Sequence, residues 1–146
     1  MANHAYNVGN IVINSIVGWL DITHDVKAEN PPFTLAKNDG VGALQFTGAK
    51  YSDAKVPVIT IDSLKHLLTD FIHSRELGQG FDALTHEGRI LICAQSFFLG
   101  EQYVRVWYCS NRRDIVLITY VCKKGSERLE MSDCEKIVSN LQFGTS

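Results

Sequence analysis

Between Arg89 and Lys123 the chain passes through three β-rich segments separated by short polar breaks, and this limits the possible folds more than any other feature. The segments are Arg89–Phe98, Tyr103–Ser110 and Ile115–Lys123, broken by LGE and NRRD. Consecutive strands joined by tight turns pair antiparallel with their neighbours, so a meander is expected here. Ile90–Cys93 and Ile115–Val121 are almost continuously apolar, as central strands covered on both faces are. Phe81–Leu84, ahead of the break HEG, adds a shorter strand.

The rest of the chain supplies cover for such a sheet. Ile61, Leu64, Leu67, Leu68, Phe71 and Ile72 recur at helical spacing and make one apolar stripe. Thr60 is placed to cap that helix, Asp62 sits near its positive end, and Gly78 and Gly80 close it. Val8–Asp25 reads as one long strand, or as two short ones hinged near Gly18, before the prolines of VKAENPPF break the chain. Phe33–Ala36 and Gly42–Thr47 flank Asn38-Asp39-Gly40, a hairpin-turn sequence. Ser132-Asp133-Cys134-Glu135 has the pattern of a capping box, opening a second helix that carries Ile137, Val138 and Leu141–Phe143. Strands, helix, meander, helix describes an α+β fold: a mainly antiparallel sheet flanked by helices. With 146 residues, 45% of them hydrophobic and 21% charged, the chain fits a single domain over residues 1–146.

Charge and motifs then exclude several function classes. The net charge is −2, and the only basic clusters are Arg112-Arg113 and Lys123-Lys124, too few cations for nucleic-acid binding. The first residues lack the basic segment and cleavage site of a signal peptide, and the run Ile16–Leu20 is too short to span a bilayer. A soluble, cytoplasmic protein without a membrane partner is expected. The four cysteines form no C-x-x-C pair, and three lie among apolar strand residues, so buried thiols are expected. His66 and His73 share a helix face but lie about 10 Å apart, too far for one metal. The glycines fall at turns, and GQG lacks the lysine and strand-to-helix context of a phosphate loop. No catalytic residue, cofactor, metal or small-molecule substrate is therefore expected.

One strand face stands out. Tyr103, Arg105, Trp107 and Cys109 share one side of a strand, and Val104, Val106 and Tyr108 the other. Tyr, Arg and Trp are the types most enriched at binding hot spots. Their face either contacts a partner or is covered by a helix, with Arg105 reaching the edge along its alkyl stem. Arg112 and Arg113 in the adjoining turn extend the candidate partner-binding set. Asp39 and Asp53 join it as acids able to complement a basic partner.

The order of these elements is similar to a known family. A GW opening strand leads to a proline-containing loop, then to a hairpin ending in GALQFTGAKY and an amphipathic helix. Long strands including VLITYVC follow, and CEKIVSNLQF closes the chain. This order resembles the PsbP-like (Mog-type) fold, a small α/β/α sandwich used by photosynthetic accessory subunits, a Ran-binding protein and bacterial envelope proteins. The ending also resembles small bacterial proteins that look like immunity proteins of interbacterial toxins. The resemblance implies a cytoplasmic immunity protein that binds and neutralises a cognate toxin by occlusion. An accessory or scaffold protein assisting assembly of a larger complex is the alternative it implies.

Overall fold

The computed structural model describes residues 4–49 and 58–144. The expected meander is its spine. Strands β7 (Leu91–Leu99), β8 (Gln102–Ser110) and β9 (Ile115–Lys123) pair antiparallel in order, with Trp107 facing Ala94 on one side and Ile118 on the other. Strand β6 (Phe81–Glu87) adds outside β7, and its register slips between Phe81 and Leu84. Strands β5 (Gly42–Ala49), β4 (Phe33–Lys37) and β3 (Trp19–Asp21) extend the sheet beyond β9. The order is β3-β4-β5-β9-β8-β7-β6, antiparallel throughout.

Strict alternation divides the core into two layers. Leu91, Cys93, Val104, Val106, Tyr108 and Ile115 meet helix α1 (Ile61–Ser74) through Leu64 and Leu68. Ile92, Ala94, Trp107, Cys109, Val116 and Ile118 face the other way, toward Cys134, Ile137 and Val138 of helix α2 (Met131–Ser139). On that second side lies a small sheet of β1 (Ala5–Val8), β2 (Ile11–Asn14) and β10 (Gln142–Phe143), with β2 in the middle. The result is the α/β/α sandwich that the element order implied. Thr60 caps α1 as expected: its Oγ1 accepts from the Ser63 amide at 3.3 Å, and Ser63 Oγ accepts from the Thr60 amide at 3.1 Å.

Two local expectations are adjusted. Of the two readings of Val8–Asp25, the pair hinged near Gly18 holds, as β2 and β3, but another strand precedes it. Gly9, with φ of 55°, and Asn10 turn the chain into the β1–β2 hairpin, which begins before Val8, and Gly18 (φ 95°) turns it again into β3. The second helix begins at Met131 with Glu130 at its cap and no side-chain cap bond, so the Ser132 capping box does not form. Glu135, its expected acid, is drawn to Arg105 and Trp107 instead. The helix also stops at Ser139, where the Asn140 amide and side chain both donate to the Lys136 carbonyl at 3.2 and 2.9 Å. Gln142 and Phe143 then pair with Val12 and Ile11, so this end is a strand and not helix.

Trp107 is the side chain on which α2 and the sheet close, and it is fully buried. Trp107→Ala is expected to cost about 3–5 kcal/mol through the cavity it leaves. Urea unfolding should show the midpoint fall with little change in slope.

Candidate functional site

The structure separates the candidate partner-binding residues into three groups. Tyr103, Arg105 and Trp107 are 3%, 5% and 0% exposed: Glu135 of α2 reaches Arg105 and Trp107, and the Phe81 and Phe98 rings pack against Tyr103. They are therefore not a surface that a partner could touch in this fold, and the expectation of direct contact through them is corrected. Arg112 and Arg113 lie in the exposed turn between β8 and β9. Asp39 sits in the β4–β5 turn, in a left-handed conformation with φ of 56°. The strand registers put that turn at the other end of the sheet, roughly 25–30 Å from Arg112. Asp53 lies outside the described residues.

Arg105 does not snorkel; three hydrogen bonds hold its guanidinium in place. Nε donates to Glu135 Oε1 at 2.8 Å, and Nη1 donates to Ser96 Oγ at 2.7 Å and to the Asp82 carbonyl at 3.0 Å. Its guanidinium carbon lies 5.4 Å from the centre of the Trp107 ring, a cation–π contact. The Trp107 indole N–H donates to the other oxygen of Glu135 at 3.4 Å, and the Tyr103 hydroxyl bonds Ser96 Oγ at 2.7 Å. One guanidinium thus ties β8 to α2, β7 and the irregular start of β6.

Glu135 is also the wall of a cleft. A cavity of about 250 Å³ opens between α2 and the β6–β7 hairpin, lined by Leu84, His86, Arg89, Ile90, Ile92, Glu135 and Ser139. Ile90 and Ile92 are buried, while Leu84 and His86 are exposed on β6. Arg89 projects from the hairpin turn and donates to the Leu141 carbonyl at 3.0 Å. Arg112 locks onto the same turn, donating to the Gly88 carbonyl at 3.0 Å and the Arg89 carbonyl at 3.4 Å. The structure therefore joins the candidate Arg112 to a residue that sequence reasoning missed. Leu84 and His86 on one face of a sheet-edge strand were the available signal for the cleft. That β6 ends the sheet could not be read from its residues.

The thiols sit apart from this cleft's chemistry. All four cysteines are buried and free, and burial raises the pKa of each above its ordinary value. For Cys109, Cys122 and Cys134, nearby carboxylates push the same way. A nucleophilic thiolate is thus disfavoured at each position. Among the described residues no three His, Cys, Asp or Glu side chains converge as a metal site, and no helix is long and apolar enough to cross a membrane.

Neither a protein-family model nor a curated protein matches the chain. Solved structures do. The solution structure of cyanobacterial PsbP (CyanoP) from Synechocystis superposes with a TM-score of 0.61 at 11% identity, over 97% of this chain and 92% of that one. The fold is PsbP-like. A mutant of the protein Mog1 is similar at a TM-score of 0.63 and 11% identity, over 100% of this chain and 98% of its own. A Pseudomonas aeruginosa protein of unknown function described as a putative regulator, PA94, matches over the full length of both chains at 0.57 and 8% identity. A PsbP-like core shared at this level of identity establishes architecture; the site must be argued from this chain's own residues.

Two outcomes follow for the PsbP-like core. Glu135→Ala strands the Arg105 guanidinium and should lower stability by about 2–3 kcal/mol, below the usual cost of breaking a buried pair because the Glu135 side chain is 37% exposed. Urea titrations should find that Arg105→Met combined with Glu135→Leu recovers most of that loss. In the native protein near neutral pH, all four thiols should react with Ellman's reagent far more slowly than in urea. A single fast-reacting cysteine would contradict their placement in the core.

Proposed function

We propose that this protein is a non-catalytic binding module whose partner is another protein, most concretely a cytoplasmic immunity protein that occludes a cognate interbacterial toxin. The observation that carries this reading is the surface at the β6–β7 edge. There an apolar cleft adjoins Arg89 and Arg112, and among the described residues neither guanidinium is paired with a carboxylate. Arginine is among the residue types most enriched at binding hot spots, and hot spots centre on desolvated pockets. Protonated, buried thiols support the non-catalytic part of the reading. Net charge of −2 and few basic clusters favour a protein over a nucleic acid as partner.

Neutralisation here is stoichiometric: the bound protein covers the toxin's working surface, and no bond is made or broken. Co-expression with the product of the adjacent gene tests it. Cells carrying that product alone should lose viability, and this chain should restore it and co-purify in a fixed ratio. Arg89→Glu with Arg112→Glu should weaken the complex about tenfold, with a reduced salt dependence. If the adjacent product neither harms cells nor binds the chain, the immunity reading is wrong. A stable, harmless partner would instead make this an accessory protein of a larger assembly.

A further inference from the structure

We infer that the outer edge of β6 receives an extended segment of the partner as an eighth strand, with an apolar side chain entering the cleft and an acidic one meeting Arg89 and Arg112. The inference rests on the protein-binding reading and names the kind of segment bound. Strand β6 ends the large sheet, and only β7 pairs with it among the described residues. The opposite edge, β3, is only three residues long. Every residue from Asp82 to Glu87 is exposed.

Backbone geometry says which groups are on offer. The Gly88 amide donates to the Ile90 carbonyl at 3.2 Å, closing the hairpin. Hydrogen-bonded and non-bonded pairs alternate along an antiparallel ladder. Counting back from that bond through the register His86↔Ile92 and Thr85↔Cys93, the amides and carbonyls of Thr85 and Glu87 turn outward. These are the donors and acceptors that an added strand uses.

Side chains then set the specificity. Leu84 and His86 lie opposite Ala94 and Ile92, whose side chains belong to the α2 layer, so they share the α2 face. A strand laid about 4.8 Å outside β6 presents alternate side chains on that same face, into the cleft beneath Glu135 and Ser139. At about 250 Å³ the cavity falls below the range of roughly 300–1,000 Å³ typical of small-molecule sites, and suits one large apolar side chain. The next side chain on this face, two residues along, reaches the Gly88–Arg89 turn. There Arg89 and Arg112 supply two guanidiniums that the described carboxylates leave unpaired. Glu87, the nearest acid in sequence, alternates onto the α1 face. The segment's signature is therefore apolar-x-acidic.

The same strand discourages a second copy as occupant. Between Phe81 and Leu84 the register is broken, Asp82 has φ of 52°, and its carbonyl is held by Arg105. Only Leu84–Glu87 remains regular, enough for a short segment and poor for a long flat sheet-to-sheet contact.

Panning the full-length chain against a phage-displayed library of random octapeptides provides the test. Enriched peptides should carry the apolar-x-acidic spacing. Hydrogen exchange with the selected peptide bound should show new protection of the Thr85 and Glu87 amides. Leu84→Asp, and separately Arg89→Glu with Arg112→Glu, should weaken binding about tenfold or more while the protein stays folded by circular dichroism. Peptides without the spacing, protection at another surface, or a β6-paired dimer that the peptide fails to disrupt would each overturn the inference. The two readings also fail separately. A toxin bound equally well by the β6 variants sinks the edge-strand inference alone, whereas peptide capture at β6 with no toxic partner sinks the immunity reading alone.

Discussion

The buried guanidinium of Arg105 is the interaction on which the sandwich depends. A charge in the interior is expensive, and it persists where an opposite charge and further hydrogen bonds offset its lost hydration. Here the acceptors come from three elements besides its own strand: a carboxylate from α2, a hydroxyl from β7 and a carbonyl from β6. Moving any one of them exposes an unmet donor, so the guanidinium fixes where α2 lies and where β6 kinks. Glu135 is recruited from the position that would have closed a capping box. Its energy of interaction with Arg105 and Trp107 outweighs a cap contact of about 1 kcal/mol at the end of a short helix.

A buried acid, Glu130, solves the opposite problem without a cation. It is 3% exposed and accepts from the Tyr120 hydroxyl at 2.8 Å and from the Val41 and Gly42 amides at 3.1 and 3.2 Å. Burial and the hydrogen bond to Glu130 hold the Tyr120 hydroxyl protonated far above the ordinary tyrosine range, so it stays a donor. The arrangement depends on a missing side chain. A Cβ at position 42 would come within 2.7 Å of the Tyr120 ring and 2.6 Å of the Val121 carbonyl. Glu130 thereby ties the start of α2 to the β4–β5 hairpin, as Glu135 ties its middle to β6–β8.

How much of this could be read in advance depended on whether a signal was local. The meander, the α1 stripe and the Thr60 cap are written in neighbouring residues, and the structure reproduces them. The face shared by Tyr103, Arg105 and Trp107 was also legible, because alternation fixes it; what covers the face was not, because α2 arrives from about thirty residues away. Hot-spot composition on a strand describes a residue set that α2 uses in the same way as a partner would. The end of α2 failed for a similar reason. Leu141–Phe143 continues a helical apolar pattern, yet pairing with β2, more than a hundred residues upstream, offers its backbone a ladder. The cleft was hidden most completely, since its walls come from three separated segments.

The handling of the two sheet edges connects this architecture to binding. An open edge invites association, and chains blunt theirs by shortening, bulging or charging it. At β3 the edge is three residues long and its Trp19 turns inward, with the indole donating to Asp133 of α2 at 3.0 Å. At β6 the protection is partial: Arg105 holds a bulge at one end, and four regular residues remain open beside the cleft. The residue buried to stabilise the fold thus also limits how long a strand the surface can accept. A guanidinium that reads as a contact residue in the sequence acts instead through the backbone of β6, one layer beneath the surface it shapes.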